Sequence, residues 1–174
     1  MCLLNATNGK NWIRQFNNKK YITCYKIVQV GKRNNGKYFL VSEIMCHIYR
    51  AGNNFSDRKK QQLSKSCNDN KYFENGKPYW YVNNGIHVFT TLQSAKDEFG
   101  NIYDYDDMCE VIVAVRCRPE DLVAYSSIDK EAVFMKVQLE AREFDRAIEK
   151  VKKKNISENA YVEWSPFYQE QENK

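Results

Sequence analysis

Gly85-Ile86-His87-Val88-Phe89-Thr90-Thr91, Val111-Ile112-Val113-Ala114-Val115-Arg116-Cys117 and Ala132-Val133-Phe134-Met135-Lys136-Val137-Gln138-Leu139 decide the fold. Asn83-Asn84-Gly85 supplies the turn chemistry that opens the first of these stretches. In the second, Val111, Val113, Val115 and Cys117 alternate with Ile112 and Ala114, so both faces are apolar. That pattern predicts a central strand covered on two sides, and Pro119 stops it. In the third, Val133, Met135, Val137 and Leu139 recur at every second residue, which predicts one continuous strand with those four side chains on one face. Between the first two, Leu92, Ala95 and Phe99 recur at helical spacing behind Thr90 or Thr91 as N-cap, predicting a helix packed on 86–89.

Working outward, residues 21–30 are rich in β-branched and aromatic side chains and read as a strand. Gly31-Lys32-Arg33-Asn34-Asn35-Gly36-Lys37 reads as the loop of a hairpin that returns over 38–41, and apolar character resumes over 44–49. Upstream, Trp12, Ile13 and Phe16 predict one amphipathic turn in an arm packed on the domain. Residues 50–77 are polar and read as the least regular part, with one short helix over 57–64 capped by Ser56. Tyr79-Trp80-Tyr81-Val82 resumes as an aromatic strand. Downstream, Ala141, Phe144, Ile148 and Val151 form the stripe of a helix over 140–153. Lys150 and Lys152–Lys154 sit at its C-terminal end, where cations suit the helix dipole. The prediction is a single α+β domain: a mostly antiparallel sheet of about five to seven strands with two main helices packed on it. Residues 1–20 form its arm, 21–153 its core and 154–174 its tail.

An apolar share of 43% in 174 residues, 14% of them aromatic, is enough for a packed core and excludes general disorder. No run approaches the roughly 20 apolar residues of a membrane-spanning helix. Met1-Cys2-Leu3-Leu4 is too short for the apolar region of a signal peptide. The expectation is a cytoplasmic protein without a membrane partner. The six Cys form no C-x-x-C pair and there are only two His, which speaks against zinc, and no metal is expected. Cys24, Cys46 and Cys117 fall in apolar runs and read as small buried hydrophobes.

The net charge of +5 is unevenly placed. Basic clusters lie at 32–37, 58–60 and 152–154, while 97–115 holds six acidic residues and no Lys or Arg. Such a surface suits a phosphate-bearing or acidic partner; solvated charged faces explain the same pattern.

Among candidate chemical groups, His87 near Thr90 reads either as a general base or as a hydrogen-bonded structural His. Glu131, at the start of the last strand, reads as a carboxylate projecting into a cleft or as a strand-edge charge. His47 and Cys46 are strand neighbours pointing to opposite faces, which argues against a dyad. Asp104, Asp106, Asp107 and Glu110 can hold a hard cation, but without the frame of an EF-hand loop. For nucleic acid, Tyr79-Trp80-Tyr81 and the basic loops offer stacking and phosphate contacts. No phosphate-binding, dinucleotide, zincin or nucleophile-elbow motif occurs.

Two resemblances follow from these residues. Gly85-Ile86-His87, Ala95 in a helix, the Val-rich 111–115, Pro119-Glu120-Asp121-Leu122-Val123 and the final 133–137 strand together resemble a domain of bacteriophage and prophage proteins of the rapid-lysis B type. That resemblance implies a phage or mobile-element origin and no assigned activity. Tyr49-Arg50, Thr90-Thr91 and Glu131 are also similar to the three motif positions of the ADP-ribosyltransferase fold. This second resemblance implies NAD as the cofactor, His87, Thr90 and Glu131 as catalytic residues, and Tyr49, Arg50 and Tyr81 as ligand-binding ones. The leading expectation is a non-enzymatic accessory protein that binds an unidentified protein or other macromolecule and needs no cofactor. A transferase and a nucleic-acid binder using the basic loops are the alternatives.

Overall fold

A computed structural model describes residues 7–33, 35–42, 48–56, 85–99 and 109–152, together with the backbone of short strands at 2–3, 64–65 and 80–81. In chain order the described elements begin with β1 (Cys2–Leu3), α1 (Lys10–Ile13), β2 (Ile22–Lys32), β3 (Tyr38–Val41), β4 (Ile48–Tyr49) and β5 (Gly52–Phe55). Next come β6 (Ser64–Lys65), β7 (Trp80–Tyr81), β8 (Ile86–Phe89), α2 (Leu92–Glu98) and β9 (Cys109–Cys117). The chain continues through β10 (Leu122–Ser126), β11 (Glu131–Phe134), β12 (Lys136–Leu139) and α3 (Ala141–Lys152). The helix expected over 57–64 lies outside the described residues, apart from Ser64 in β6.

The main sheet runs β10-β11-β8-β2-β9-β12-β5, with β3 added to β2 and β4 to β3, and every described pairing is antiparallel. A second sheet, β1-β7-β6, has three strands. The mostly antiparallel α+β prediction holds, but the main sheet has nine strands where five to seven were expected. One reason is that Gly52-Asn53-Asn54-Phe55, polar enough to read as irregular, becomes an edge strand by pairing with β12. Two others are that Leu122–Ser126, not expected as a strand, pairs with β11, and that the single strand expected over 132–139 is two.

The break falls at Met135. Its N–H donates to the Asp121 carbonyl and its carbonyl accepts the Ser56 N–H, both at 2.9 Å, so it takes no place in either flanking ladder. β11 pairs with β10 and β8, whereas β12 pairs with β9 and β5. The extra residue acts as a bulge does and inverts the alternation. Ala132 and Phe134 join the same buried cluster as Val137 and Leu139, while Val133 lies on the opposite face, beside His87. The expectation that Val133, Val137 and Leu139 share a face is therefore corrected.

β11 and β12 are four strand spacings apart along the sheet, roughly 19 Å if it were flat, yet one residue joins them. Hence the sheet curls strongly about β8, β2 and β9. Its inner face carries one cluster drawn from Cys24, Val28 and Val30, from Val111 to Cys117, and from Phe134, Val137 and Leu139. Ala147, Val151, Phe144 and Ile148 of α3 and the aromatic N-terminal turn cover that cluster. Trp12 stacks on Tyr125 at 4.6 Å between centroids and meets Phe134 edge-on at 6.5 Å. The arm is tied further by the Thr7–Tyr125 bridge and by Gly9, whose φ of 65° and absent side chain admit Leu122.

On the outer face α2 covers only one part. Thr91 caps it as expected, accepting the Ser94 N–H at 3.1 Å, and Ala95 packs with Ile27 and Phe89. Leu92 and Phe99, expected in the same stripe, are exposed, because the helix spans only seven residues. Ser94 and Ala95 are its buried positions.

Candidate functional site

Gly85 opens β8, and the four residues after it are all buried. Ile86 and Val88 face the inner core, which leaves His87 and Phe89 on the outer face. Register sets Val133 opposite His87 and Glu131 opposite Phe89, so His87 and Glu131 are diagonal neighbours. His87 Nδ1 lies 3.5 Å from Glu131 Oε2, at the far limit of a hydrogen bond. The histidine is 8% exposed and the glutamate 17%. Burial lowers the His87 pKa, and the Glu131 carboxylate offsets this only in part. The imidazole is therefore neutral near pH 7.

This has a consequence for stability. A folded-state pKa below the unfolded value near 6.5 means that the unfolded chain binds the proton first as pH falls. Stability is expected to decline as pH drops through that value. His87→Gln should flatten the decline, as read from urea midpoints at pH 7.5 and 5.5. An unchanged slope in the variant would assign the loss to other groups.

Thr90 is near this pair in sequence but is committed elsewhere. Its N–H and its hydroxyl both donate to the Lys130 carbonyl, at 2.8 and 2.9 Å. Lys130 has a φ of 50°, and these two bonds hold the turn that presents Glu131. The structure thus brings His87, Thr90 and Glu131 onto one two-stranded ladder. It does not bring Tyr49 there. Tyr49 lies in the inner cluster, 3% exposed, and burial pushes its hydroxyl pKa far up. Arg50 is exposed at a turn tied by Asn54, which accepts its N–H and donates to its carbonyl, both at 2.9 Å. The Tyr81 side chain lies outside the described residues, as do Cys46, His47, Asp104, Asp106 and Asp107.

Cys24 and Cys117 are fully buried and hydrogen-bonded to each other, and burial raises the Cys117 thiol pKa. They are small hydrophobes, as expected. Among the described residues no group of three His, Cys, Asp or Glu can hold a metal ion, and no helix is long and apolar enough to cross a membrane.

One described residue from each of two basic clusters lines a shared cleft. Lys37 and Lys152 line an open cleft of about 480 Å³ between the β2–β3 hairpin and α3, with Tyr38, Asp145 and Glu149 in its wall. Lys152 is hydrogen-bonded to Glu149, so acidic groups share this cleft with the basic ones. The third cluster, 58–60, lies outside the described residues.

A different surface emerges from the pairing of strands. β12 sets Lys136 opposite Phe55, and β9 sets Arg116 opposite Thr23 and Gln138. All of these lie on the outer face, beyond the part that α2 covers. Arg116 and Arg118 lie over the Tyr21 ring at 5.9 and 5.6 Å, and Lys136 over the Phe55 ring at 4.9 Å. Phe55 is 56% exposed, and the Arg116 and Arg118 side chains 46% and 40%. Arg118 hydrogen-bonds the Tyr21 hydroxyl and lowers its pKa. Glu140 pairs with Arg116, and Glu120 with Arg118 at 3.4 Å. Sequence reasoning missed this row, because Tyr21, Arg118, Lys136 and Phe55 are gathered only by the ladders. The one signal in the chain was the alternation of Arg116 and Arg118 with Val115 and Cys117.

Fold and surface define an α+β protein built on a curled antiparallel sheet, with a largely buried His–Glu pair and a surface aromatic–cationic row on its outer face. Comparison with known protein families, curated proteins and solved structures finds no match.

Proposed function

We propose that this protein is a binding module without catalysis, which engages a macromolecular partner through the outer face of β2, β9, β12 and β5. The observation that carries the reading is the row of Tyr21, Arg118, Lys136 and Phe55, in which cations lie over two surface rings and Phe55 is more than half exposed. Tyr, apolar along its ring and polar at its tip, is enriched at interfaces. The phage-type outline around Gly85-Ile86-His87 and Pro119–Val123 supports an accessory role of mobile-element type.

A transferase using NAD is the second reading, favoured by the meeting of His87 and Glu131. Thermal denaturation with and without millimolar NAD separates the two. A ligand bound to the native state at a hundred times its Kd stabilises by about 2.7 kcal/mol. The expected result is no shift. A shift of several degrees that disappears in Glu131→Gln would replace the binding module with the transferase.

A further inference from the structure

We infer that the outer-face row binds single-stranded nucleic acid, an assignment that rests on the binding-module reading and names its partner. Three features of the row point to this ligand. First, its apolar elements are rings rather than aliphatic patches: Tyr21, just before β2, and Phe55, at the end of β5, are three strand spacings or about 14 Å apart, with cations lying over both. A docking face for another protein is a contiguous apolar core depleted in Lys, whereas bases stack on separated rings whatever their sequence. Second, the space between the rings is filled by Arg118 and Lys136, with Arg116 one row inward and Lys20 5.6 Å from the Tyr21 ring. Two cations flanked by rings offer phosphate contacts beside stacking positions. Third, the face is an open sheet rather than a groove. It suits splayed bases, which stack on side chains of a sheet face.

The local charge sets the expected strength. Lys20, Arg116, Arg118 and Lys136 face the carboxylates Glu120, Asp121 and Glu140, so the excess of positive charge is small. Glu140 and Glu120 hold the two guanidiniums in place. Stacking therefore dominates, and salt dependence is shallow. One phosphate's worth of neutralisation gives a slope of about −0.7 in log K against log[salt]. This surface is distinct from the cleft at Lys37 and Lys152, where acidic residues line the same wall.

The test is fluorescence anisotropy of the full chain with labelled 12-mers of deoxythymidine and of uridine, with a mixed-sequence duplex as control. Binding of either single strand, weaker by roughly 5–100-fold in each of Tyr21→Ala and Phe55→Ala, is the expected result. Both residues lie at the surface, so unchanged melting temperatures check that the variants remain folded. A difference between the two oligomers would identify DNA or RNA as the natural strand. Equal binding of the duplex, or full binding by Tyr21→Ala/Phe55→Ala, would overturn the assignment, as would no binding at all. In those cases a partner retained from lysate by wild type and lost by the double variant would leave the binding module standing with a protein on the row. Loss of neither would remove both readings.

Discussion

Replacing Phe134 by Ala is expected to cost about 3–5 kcal/mol, a large part of the 5–15 kcal/mol that holds a typical domain together. Phe134 is fully buried and, among the described residues, is the largest side chain with no exposure. It stands between Leu122 of β10 and Ile86 of β8, with the Trp12 ring edge-on to it. It is also the last residue before the bend at Met135, where the inner face passes from one half of the sheet to the other. Truncation removes the aromatic contact and leaves a cavity that rigid strands on both sides cannot close. For a chain of this length, 4 kcal/mol corresponds to a fall in Tm of roughly 8–16 °C. Thermal and urea denaturation followed by circular dichroism measure it. A loss below 1 kcal/mol would mean that Phe134 does not occupy the core.

Gly85→Ala is the second large effect, and it acts through two separate causes. The φ of Gly85 is 124°, a conformation that an L side chain adopts only under strain of about 1–3 kcal/mol. An added Cβ would also fall 2.2 Å from Val133 Cγ1, where neither strand of the ladder can give way. Overpacking of this kind adds about 1–3 kcal/mol. The two causes are separable. Val133→Ala removes the collision but leaves the strain, so the double variant should be more stable than the sum of the single effects predicts. The coupling is expected at about 1–3 kcal/mol. Strict additivity would show that the collision is not what excludes a side chain at Gly85.

Most individual strands were legible because their side chains carry the period of two in a form that tertiary contacts did not override. Val111, Val113, Val115 and Cys117 are buried on one face just as their alternation requires. Thr91 was legible as a cap from its position before an apolar run. The stretch after Ala132 was not. With Val133, Phe134 and Met135 all apolar, either parity satisfies the pattern, and the choice is made by Asp121 and Ser56, residues distant in the chain. The exposed Leu92 and Phe99 have a similar cause, since helical spacing says nothing about how much sheet lies beneath a short helix. For the site, His87 and Glu131 were each readable as strand residues of mixed character, and their meeting follows from the β8–β11 pairing. Thr90 was readable only as a hydroxyl. Its commitment to Lys130 belongs to the turn. The outer-face row was beyond reach, because Tyr21 and Arg118 are brought together by strands nearly a hundred residues apart.

That separation also governs how the chain is born. β2 takes nine of its partners from β9, so the edge that joins Cys24 and Val28 to Val115 and Val111 has nothing to pair with until Cys109 and the residues after it have been made. Translation at about 5–20 residues per second puts a delay of roughly 4–16 s between the two strands. Throughout that interval an apolar strand waits beside the ribosome with this edge unsatisfied, while its other edge meets β3 and, later, β8. Expression yield should therefore depend on chaperone capacity and on slow or fast decoding between codons 32 and 109 more than on the stability of the finished fold.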